Sequence, residues 1–153
     1  MIDNKAAHTV HHNQKAIVLL IVVAIIVFFY GIYLLINPMV SIEWSTETEL
    51  DTYGFNLLRE EAESSSSASK INPQMIIARG SPIEGATYQY IDRDVQAGVF
   101  YTYQLQEVVL SNEKEIIETI DVYVNYRGLM EIGFALVLFA LAVYLSLQHK
   151  KSH

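Results

Sequence analysis

The sequence contains no cysteine, three prolines and a single tryptophan among its 153 residues. The absence of cysteine excludes disulfide frameworks, thiolate metal sites and cysteine nucleophiles. Basic residues are also scarce, because 10 lysines and arginines stand against 17 acidic side chains and the formal net charge is −7. This balance excludes a basic protein that binds nucleic acid. The hydrophobic content of 52% excludes a disordered acidic chain.

Charge is missing altogether from two long apolar runs. The first, Ala16–Ile36, has 21 residues without a charge, and the second, Ile132–Leu147, has 16. A helix rises about 1.5 Å per residue, so the first run matches a hydrocarbon core about 30 Å thick. A signal peptide would have a shorter apolar region followed by a small-residue cleavage site. We therefore predict transmembrane helices at residues 16–37 and 128–148, and the segregation excludes an ordinary soluble enzyme.

Two charged residues lie at one edge of the second predicted span. Glu131 falls near its start, and Arg127 precedes Glu131 by one helical turn. A carboxylate costs several kcal/mol at mid-bilayer but far less at the level of the headgroups. We expect Glu131 to lie at this membrane interface or to pair with Arg127.

The distribution of lysine and arginine predicts the orientation in the membrane. Two lysines precede the first run and two follow the second, whereas residues 37–128 hold 15 acidic and 6 basic side chains. Cytoplasmic segments close to membrane spans carry an excess of lysine and arginine. The tails at residues 1–15 and 149–153 are therefore predicted to be cytoplasmic, and residues 38–127 to lie outside the cytoplasmic membrane.

The segment between the spans has the pattern of a small β-sandwich. Apolar and polar residues alternate over several short stretches, and turn-forming residues separate these stretches. Short strands at regular spacing without a helix are typical of two packed sheets. The serine-rich residues 64–67 are predicted to form a flexible loop tip between strands. The predicted strands cover residues 40–45, 54–60, 87–91, 99–105 and 116–124.

A sequence pattern in this segment resembles one found in bacterial cell-surface proteins. Residues 44–59 read WSTETELDTYGFNLLR, which is similar to the pattern Trp-x-Thr-x-Ser/Thr-Glu, then Gly-Phe and Arg, of a fibronectin type III-like module. The similarity continues to about residue 110. The residues that carry it there are Lys70-Ile71-Asn72, Gly80-Ser81-Pro82, Tyr88, Tyr90, Asp92, Asp94, Val95, Gly98, Tyr101, Tyr103, Leu105, Glu107 and Val108. The resemblance implies a fibronectin type III-like sandwich in a bacterial membrane protein.

The resemblance also implies structural roles for particular residues. Trp44 would be the core aromatic residue of an early strand, and Gly54 would allow the backbone to turn before the strand that carries Phe55. The segment Val95–Tyr101 resembles a tyrosine corner, in which a tyrosine hydroxyl bonds to an upstream backbone group. The full set of implied fold residues is Trp44, Gly54, Phe55, Tyr88, Tyr90, Gly98, Tyr101 and Tyr103.

The sequence offers little chemistry. His8, His11 and His12 have a spacing that could present imidazoles to a metal from one helix face, although a polar tail before a span has the same appearance. Asp92 and Asp94 lack the glycine position and the closing glutamate of a calcium loop. No nucleophile-elbow or phosphate-binding motif occurs. We therefore predict no catalytic residue, no cofactor and no nucleic-acid partner, with these histidines as the metal candidates.

Small residues are spaced for helix packing in both predicted spans. Ala24 and Gly31 in the first, and Gly133 and Ala140 in the second, lie seven residues apart and so share a helix face. Such residues let helices approach closely, while ordinary lipid-facing composition is the alternative interpretation. A pair of helices buries little of its own surface, so its other faces stay available to further membrane helices.

These observations predict a non-enzymatic two-pass membrane protein that contacts lipid and other membrane-protein subunits. It would act as an accessory or assembly subunit of a larger complex, for example one of respiratory or photosynthetic electron transfer. The alternative is a free-standing surface module for adhesion or ligand binding. That function would use an exposed aromatic patch, for which Tyr53, Tyr123 and Tyr126 are the candidates.

Overall fold

The chain folds into two compact units, one helical and one built of strands. The computed structural model describes residues 3–62 and 67–151, with side chains described from 14 to 62 and from 67 to 150. Met1–Asn37 and Tyr126–His153 form one unit, here called the helix pair. Pro38–Asn125 form the other, here called the β-unit. The prediction of two apolar helices flanking a domain of antiparallel strands is confirmed.

The helix pair consists of α1 (Asp3–Ile36) and α2 (Leu129–Lys151). Both helices are long and apolar enough to cross a membrane, which is consistent with a two-pass membrane protein. α1 begins well before the predicted span, so its backbone includes most of the predicted N-terminal tail. It ends at Ile36 because Pro38 disfavours the helical conformation of the residue before it. Asn37 then caps the helix, with its Nδ2 donating to the carbonyl of Tyr33 at 2.9 Å.

α2 starts directly after a glycine with a left-handed backbone. Gly128 has φ +101°, a conformation that other residues adopt only with strain. Its carbonyl accepts the first helical hydrogen bond, from the backbone N–H of Ile132 at 2.9 Å. Glu131 lies in the first turn, where a negative charge interacts favourably with the helix dipole.

The described residues of the β-unit form seven strands in two antiparallel sheets. One sheet pairs β1 with β5, and the other has the order β3-β2-β6-β7, with β4 also pairing with β2. The strands are β1 (Val40–Ser45), β2 (Thr52–Glu61), β3 (Ser69–Lys70), β4 (Ile76–Ile77), β5 (Thr87–Asp92), β6 (Phe100–Val109) and β7 (Lys114–Tyr123). The five longer strands overlap the five predicted ones, and the two-residue strands β3 and β4 were not predicted.

The core of the β-unit lies between these two sheets. Val40 and Ile42 of β1 are buried and Trp44 is half-buried, as the alternation predicts. Trp44 stacks on Tyr88 of β5 with ring centroids 5.1 Å apart and meets Phe55 of β2 edge-on at 5.7 Å. Aromatic pairs in these arrangements stabilise a core beyond the area that they bury.

Gly54 does not have the role that the sequence predicted. It lies inside β2, at an irregularity of the ladder with β6, and not at a turn before the strand. A Cβ atom at this position would lie 2.5 Å from the carbonyl oxygen of Ile76. The glycine is therefore needed for the close approach of β4 to β2, because any side chain would push β4 away.

The serine run lies in the connection between β2 and β3. The prediction of a flexible tip falls largely on residues 63–66, which lie outside the described residues. Beyond this connection, the buried Asn72 holds the chain against β2. Its Oδ1 accepts from the N–H of Leu57 at 2.7 Å, and its Nδ2 donates to the carbonyl of Phe55 at 3.2 Å. The Asn72 side chain thereby makes hydrogen bonds to the β2 backbone of the kind that a longer β3 would make.

Candidate functional site

A buried ion pair joins the two sheets of the β-unit. Asp92, at the end of β5, is 4% exposed and accepts from Arg59 Nη1 of β2 at 2.7 Å. The same Asp92 oxygen accepts from the Tyr103 hydroxyl of β6 at 3.0 Å, and the other oxygen accepts from the N–H of Asp94 at 3.0 Å. Arg59 also lies over the ring of Tyr101, with its guanidinium carbon 5.1 Å from the ring centroid. Both oxygens of Asp92 are therefore already engaged.

Two pKa values in this cluster are raised, those of Tyr103 and Arg59. Burial raises the pKa of Tyr103, and the neighbouring charge of Asp92 and the hydrogen bond to it raise it further. Burial works against the charged form of Arg59, but its hydrogen bond to Asp92 and the attraction of that carboxylate outweigh burial and raise its pKa. The hydrogen bonds of Arg59 and Tyr103 to Asp92 thus connect β2, β5 and β6.

A second buried carboxylate, that of Glu49, holds the loop after β1 against the loop before β5 by hydrogen bonds. Glu49 is 5% exposed; its Oε1 accepts from the Thr46 hydroxyl at 2.6 Å and from the Tyr88 hydroxyl at 2.7 Å, and its Oε2 accepts from the N–H of Gly80 at 2.5 Å. Burial alone would raise the pKa of Glu49, but these hydrogen bonds, with that from Thr46 first, lower it overall. Burial, followed by the hydrogen bond to Glu49, raises the pKa of Tyr88.

The residues of the fibronectin type III-like pattern converge in these clusters. Glu49, Gly80 and Tyr88 meet at one, and Arg59, Asp92 and Tyr103 meet at the other. Composition gave no indication that Glu49, Asn72 and Asp92 are buried, because polar residues of these types are mostly solvated. The pattern itself contained the signal, because it includes all three of these residues.

Tyr101 makes a hydrogen bond of the kind expected of a tyrosine corner. The Tyr101 hydroxyl accepts from the backbone N–H of Gln96, five residues upstream, at 3.1 Å. Gly98 between them has φ +85°, which explains the glycine at this turn. Tyr90 makes a comparable bond, since its hydroxyl donates to the carbonyl of Ile71 at 2.8 Å. These two hydroxyl groups hold loops against strands.

The helix pair has a close contact near one end, where two glycines meet. A Cβ on Gly31 of α1 would lie 2.9 Å from the carbonyl oxygen of Gly128, and one on Gly128 would lie 2.1 Å from the carbonyl oxygen of Gly31. Ala24 is also buried, so both small residues predicted in the first span lie on the face towards α2. Close backbone approach of this kind is how small residues promote helix packing in membranes.

The corresponding prediction for the second helix is wrong. Gly133 is exposed and has no atom within 4 Å of the place where a Cβ would be, and Ala140 is exposed as well. The small residues of α2 that are buried are instead Ala135, 2% exposed, and Ala142, fully buried. Gly128, Ala135 and Ala142 have the same seven-residue spacing, but they lie on a different face of the helix from Gly133 and Ala140.

A recess of about 200 Å³ lies on the surface of the helix pair. Its lining is almost wholly apolar. Large apolar side chains of both helices remain exposed around it, among them Phe29, which is 64% exposed, and Phe139, which is 48% exposed. The recess is lined by Ala24, Ile25, Phe28, Phe29, Ala135, Leu136 and Phe139.

The remaining candidate residues form no site among the described parts of the chain. Arg127 and Glu131 make no ion pair there, so the predicted pairing is not formed and Glu131 lies in the first turn of α2 without it. No group of three or more histidines, aspartates or glutamates with the geometry of a metal site occurs among the described residues. The metal candidates His8, His11 and His12 lie outside the described side chains.

The three tyrosines proposed for an adhesion surface are each exposed. Tyr53 is 48% exposed, Tyr123 40% and Tyr126 52%. Tyr123 packs against Phe100 of β6 with ring centroids 4.6 Å apart. Comparison with known proteins adds no candidate function, because no family model matches the sequence and no curated protein is significantly similar to it.

Proposed function

We propose that this chain is a non-enzymatic, two-pass membrane protein of a bacterial cytoplasmic membrane. It holds a fibronectin type III-like sandwich on the outer face, with both chain ends in the cytoplasm. Its function is contact: it serves as an accessory or assembly subunit that docks on a larger membrane complex, such as one of respiratory or photosynthetic electron transfer. The bilayer and the other subunits of that complex are its partners.

The observation that carries this proposal is the apolar outer surface of the helix pair. In each candidate span only 11% of the most apolar window is buried, and the exposed residues are large aliphatic and aromatic side chains. Such a surface is stable only in lipid or against other apolar helices. The recess between Ala24, Ala135 and Phe139 is a concave apolar feature into which side chains of a further membrane helix would fit.

The sandwich assignment is supported by strand order. In immunoglobulin-type sandwiches the second and fifth strands share one sheet, while the third, sixth and seventh share the other. If β1 is taken as the second strand and β2 as the third, β1 and β5 correspond to the first grouping, and β2, β6 and β7 correspond to the second. The first strand of the immunoglobulin arrangement then has no counterpart among the described strands. The tyrosine corner and the convergence of the pattern residues on Glu49 and Asp92 support the same assignment.

The non-enzymatic assignment is supported by how the buried polar groups are used. Glu49 and Asp92 are each saturated by neighbours that hold loops and sheets together. A catalytic acid or base needs a group that is free to exchange a proton with substrate. Within the described residues, these two carboxylates have no such freedom.

Purification in mild detergent followed by native mass spectrometry tests the proposed function. We expect masses above the 17.4 kDa of the single chain, with the same partner subunits in repeated preparations. Phe139→Ala, in the recess, should weaken partner retention more than Phe134→Ala, an equally apolar exposed position outside it. Migration of the wild-type protein as a lone 17.4 kDa species would refute the proposal.

The absence of cysteine makes the orientation directly testable. A cysteine introduced by Ser69→Cys, in the β-unit, should react with a membrane-impermeant maleimide on intact cells. One introduced by Lys15→Cys, near the start of the apolar part of α1, should react only after the cells are permeabilised. The opposite pattern of labelling would place the sandwich in the cytoplasm and contradict the proposed topology.

The exposure of Tyr53 and Tyr123 favours a second candidate function, a free-standing adhesion or ligand-binding module. Exposed aromatic side chains are enriched where proteins bind partners. If this is the function, Tyr53→Ala and Tyr123→Ala should abolish binding of cells to an immobilised surface while leaving the native mass unchanged. Unaltered cell binding by both variants would exclude it.

A further inference from the structure

The two sheets of the β-unit differ in width. The larger sheet has four strands side by side, β3-β2-β6-β7, whereas the smaller has only β1 and β5. Neighbouring strands lie about 4.8 Å apart, so a two-stranded layer is too narrow to cover the larger sheet. The smaller sheet is placed towards β2 and β3, because Asp92 of β5 bonds Arg59 of β2 and Tyr90 of β5 bonds the carbonyl of Ile71, next to β3. The side of β7 at Ile117–Ile120 is left uncovered, whereas Val122 packs against the core.

The exposure of β7 follows from this offset. Ile120 is paired with Tyr103 and Glu118 with Leu105, so both side chains lie on the sheet face that carries the core. Tyr103 is 1% exposed, but Ile120 on the same face is 41% exposed because no second layer lies over it. A ladder irregularity next to this point adds Ile117, which is 43% exposed.

A groove of about 330 Å³ runs along this open side. Its floor and walls are mainly apolar, and Glu43 and Glu118 are the charged residues that line it. β1, on one side of the groove, pairs only with β5 among the described strands, so its other backbone edge has no ladder partner. Trp44 lines the groove, and its buried Nε1 has no acceptor. The lining consists of Ile42, Glu43, Trp44, Ser45, Thr46, Leu57, Tyr103, Leu105, Ile117, Glu118 and Ile120.

Within residues 3–62 and 67–151, no segment is placed to pair with the free edge of β1. α1 ends at Ile36 and β1 begins at Val40, so only three residues separate the helix from the strand beside the groove. The connection between β2 and β3 leaves the larger sheet at its other edge. No described segment thus supplies an added strand, and another molecule is the remaining source among the parts of the chain that the structure describes.

Charge disfavours a second copy of the same chain. The groove is lined by Glu43 and Glu118, and β7 also carries Glu115 and Asp121 against a single basic residue, Lys114. Two copies joined along these edges would bring like charges together, which is destabilising. A segment with lysine or arginine among its polar residues would be attracted instead.

We propose that the groove between β1 and β7 is a docking site for one extended strand of a partner protein. The strand pairs with the free edge of β1, and its length is about that of β1, Val40–Ser45. Its residues alternate, with aliphatic side chains entering the groove over Ile117 and Ile120 and basic side chains on the opposite face lying beside Glu43, while the negative charge of Glu118 in the groove attracts the basic strand as a whole. The proposal rests on the proposed contact function and names the surface that the sandwich uses for it.

A synthetic peptide tests this directly on the full-length protein in lipid nanodiscs. The probe is a fluorescein-labelled peptide of about nine residues in which valine and lysine alternate. Its fluorescence anisotropy should rise saturably with protein. Glu118→Lys and Ile120→Asp should weaken binding about tenfold or more. The control variants Glu84→Lys and Ile83→Asp make the same changes at exposed positions outside the groove, and should bind within about twofold of wild type.

A second peptide separates strand pairing from general charge attraction. Methylation of alternate backbone amides removes ladder donors and leaves every side chain in place, so this peptide should bind at least about tenfold more weakly. Equal binding of the two peptides, or equal binding by the groove variants and wild type, would overturn the proposal. Fluorescence of the single tryptophan checks the fold of each variant, and the exposed Glu118→Lys keeps the test valid if Ile120→Asp does not fold.

Native mass spectrometry separates failure of this inference from failure of the proposed function. If wild type and Glu118→Lys retain the same partner equally well, the docking site is wrong while the contact function stands. If wild type retains no partner, the contact function itself fails. A dimer of wild type that Glu118→Lys disrupts would assign the groove to a second copy and would also overturn the proposal.

Discussion

Replacing Asp92 by asparagine should strongly destabilise the β-unit. The substitution keeps the shape of the side chain but puts an amide group where one carboxylate oxygen was. If the amide nitrogen faces Arg59 and Tyr103, its N–H groups oppose the guanidinium donors and the Tyr103 hydroxyl loses its acceptor; if it faces the N–H of Asp94, that bond is lost instead. In either orientation Arg59, whose side chain is 16% exposed, loses its buried counter-charge. Removal of one partner of a buried pair costs about 3–5 kcal/mol, and we expect about 3 because Arg59 keeps some contact with solvent.

Asp94→Asn is the matched control. Asp94 also pairs with Arg59, at 3.3 Å, but its side chain is 99% exposed. Exposed ion pairs contribute about 0–1 kcal/mol. The two substitutions are chemically identical and involve the same arginine, so burial is the variable that separates them.

The single tryptophan makes the measurement specific. Trp44 lies against Phe55 and Tyr88 in the β-unit core, and neither helix contains a tryptophan. Its fluorescence in a urea titration of the full-length protein therefore reports unfolding of the β-unit alone. A loss of about 3 kcal/mol should also lower the melting temperature by about 12 °C or more. Equal losses for Asp92→Asn and Asp94→Asn would refute the reasoning, because burial would then have no effect.

Other substitutions give comparably specific outcomes. Gly128→Ala should lower the melting temperature of the helices, followed by circular dichroism, because its Cβ would lie 2.1 Å from the Gly31 carbonyl oxygen; Gly133→Ala, which meets nothing within 4 Å, should not. Because the folded pKa of Glu49 is lowered, its contribution to stability is present above the unfolded value of about 4.3 and lost as the pH falls through the folded value. Glu49→Gln should therefore flatten the acid side of a stability–pH curve, and an unchanged curve would contradict this. Tyr101→Phe should cost about 1 kcal/mol in the urea titration by removing the corner hydrogen bond, and no measurable loss would show that the bond contributes nothing.

The helices and the longer strands could be predicted because their signals are local. Apolar runs and alternation depend on burial, and burial acts on each side chain along a single element. Ile42 and Trp44 thus lie inward as their alternation indicates. The two-residue strands β3 and β4 are too short to show an alternation of apolar and polar residues. The side-chain hydrogen bonds of Asn72 and the close approach of the backbone at Gly54 hold these segments against β2 instead.

The interacting face of α2 could not be predicted from spacing. A seven-residue interval establishes that two residues share a helix face, but it does not say which face meets a partner. Gly133 and Ala140 have the same interval as Ala135 and Ala142, two positions further on. Two residues correspond to about 200° of helical rotation, so the predicted face points almost directly away from the observed one. The choice depends on α1, and specifically on where Gly31 lies.

The burial of Glu49 and Asp92 could not be predicted from the residues next to them in the sequence either. Important donors to each carboxylate come from distant parts of the chain. The N–H of Gly80 lies 31 residues from Glu49, and Arg59 lies 33 residues from Asp92. A lone carboxylate is most often solvated, and only the fold brings these donors to it.

The contact of Gly31 with Gly128 has a consequence for how the β-unit unfolds. These glycines lie close to the two points where the chain passes between the helix pair and the β-unit, at Asn37 and Tyr126. As long as the helices stay together, the ends of Pro38–Asn125 are tethered even when every strand has melted. Closing a loop of this length removes chain entropy worth about 4.5 kcal/mol from the unfolded state. The helix pair thus acts as a removable cross-link in a chain that has no cysteine, and a β-unit cut free from it would be less stable with all of its own contacts intact.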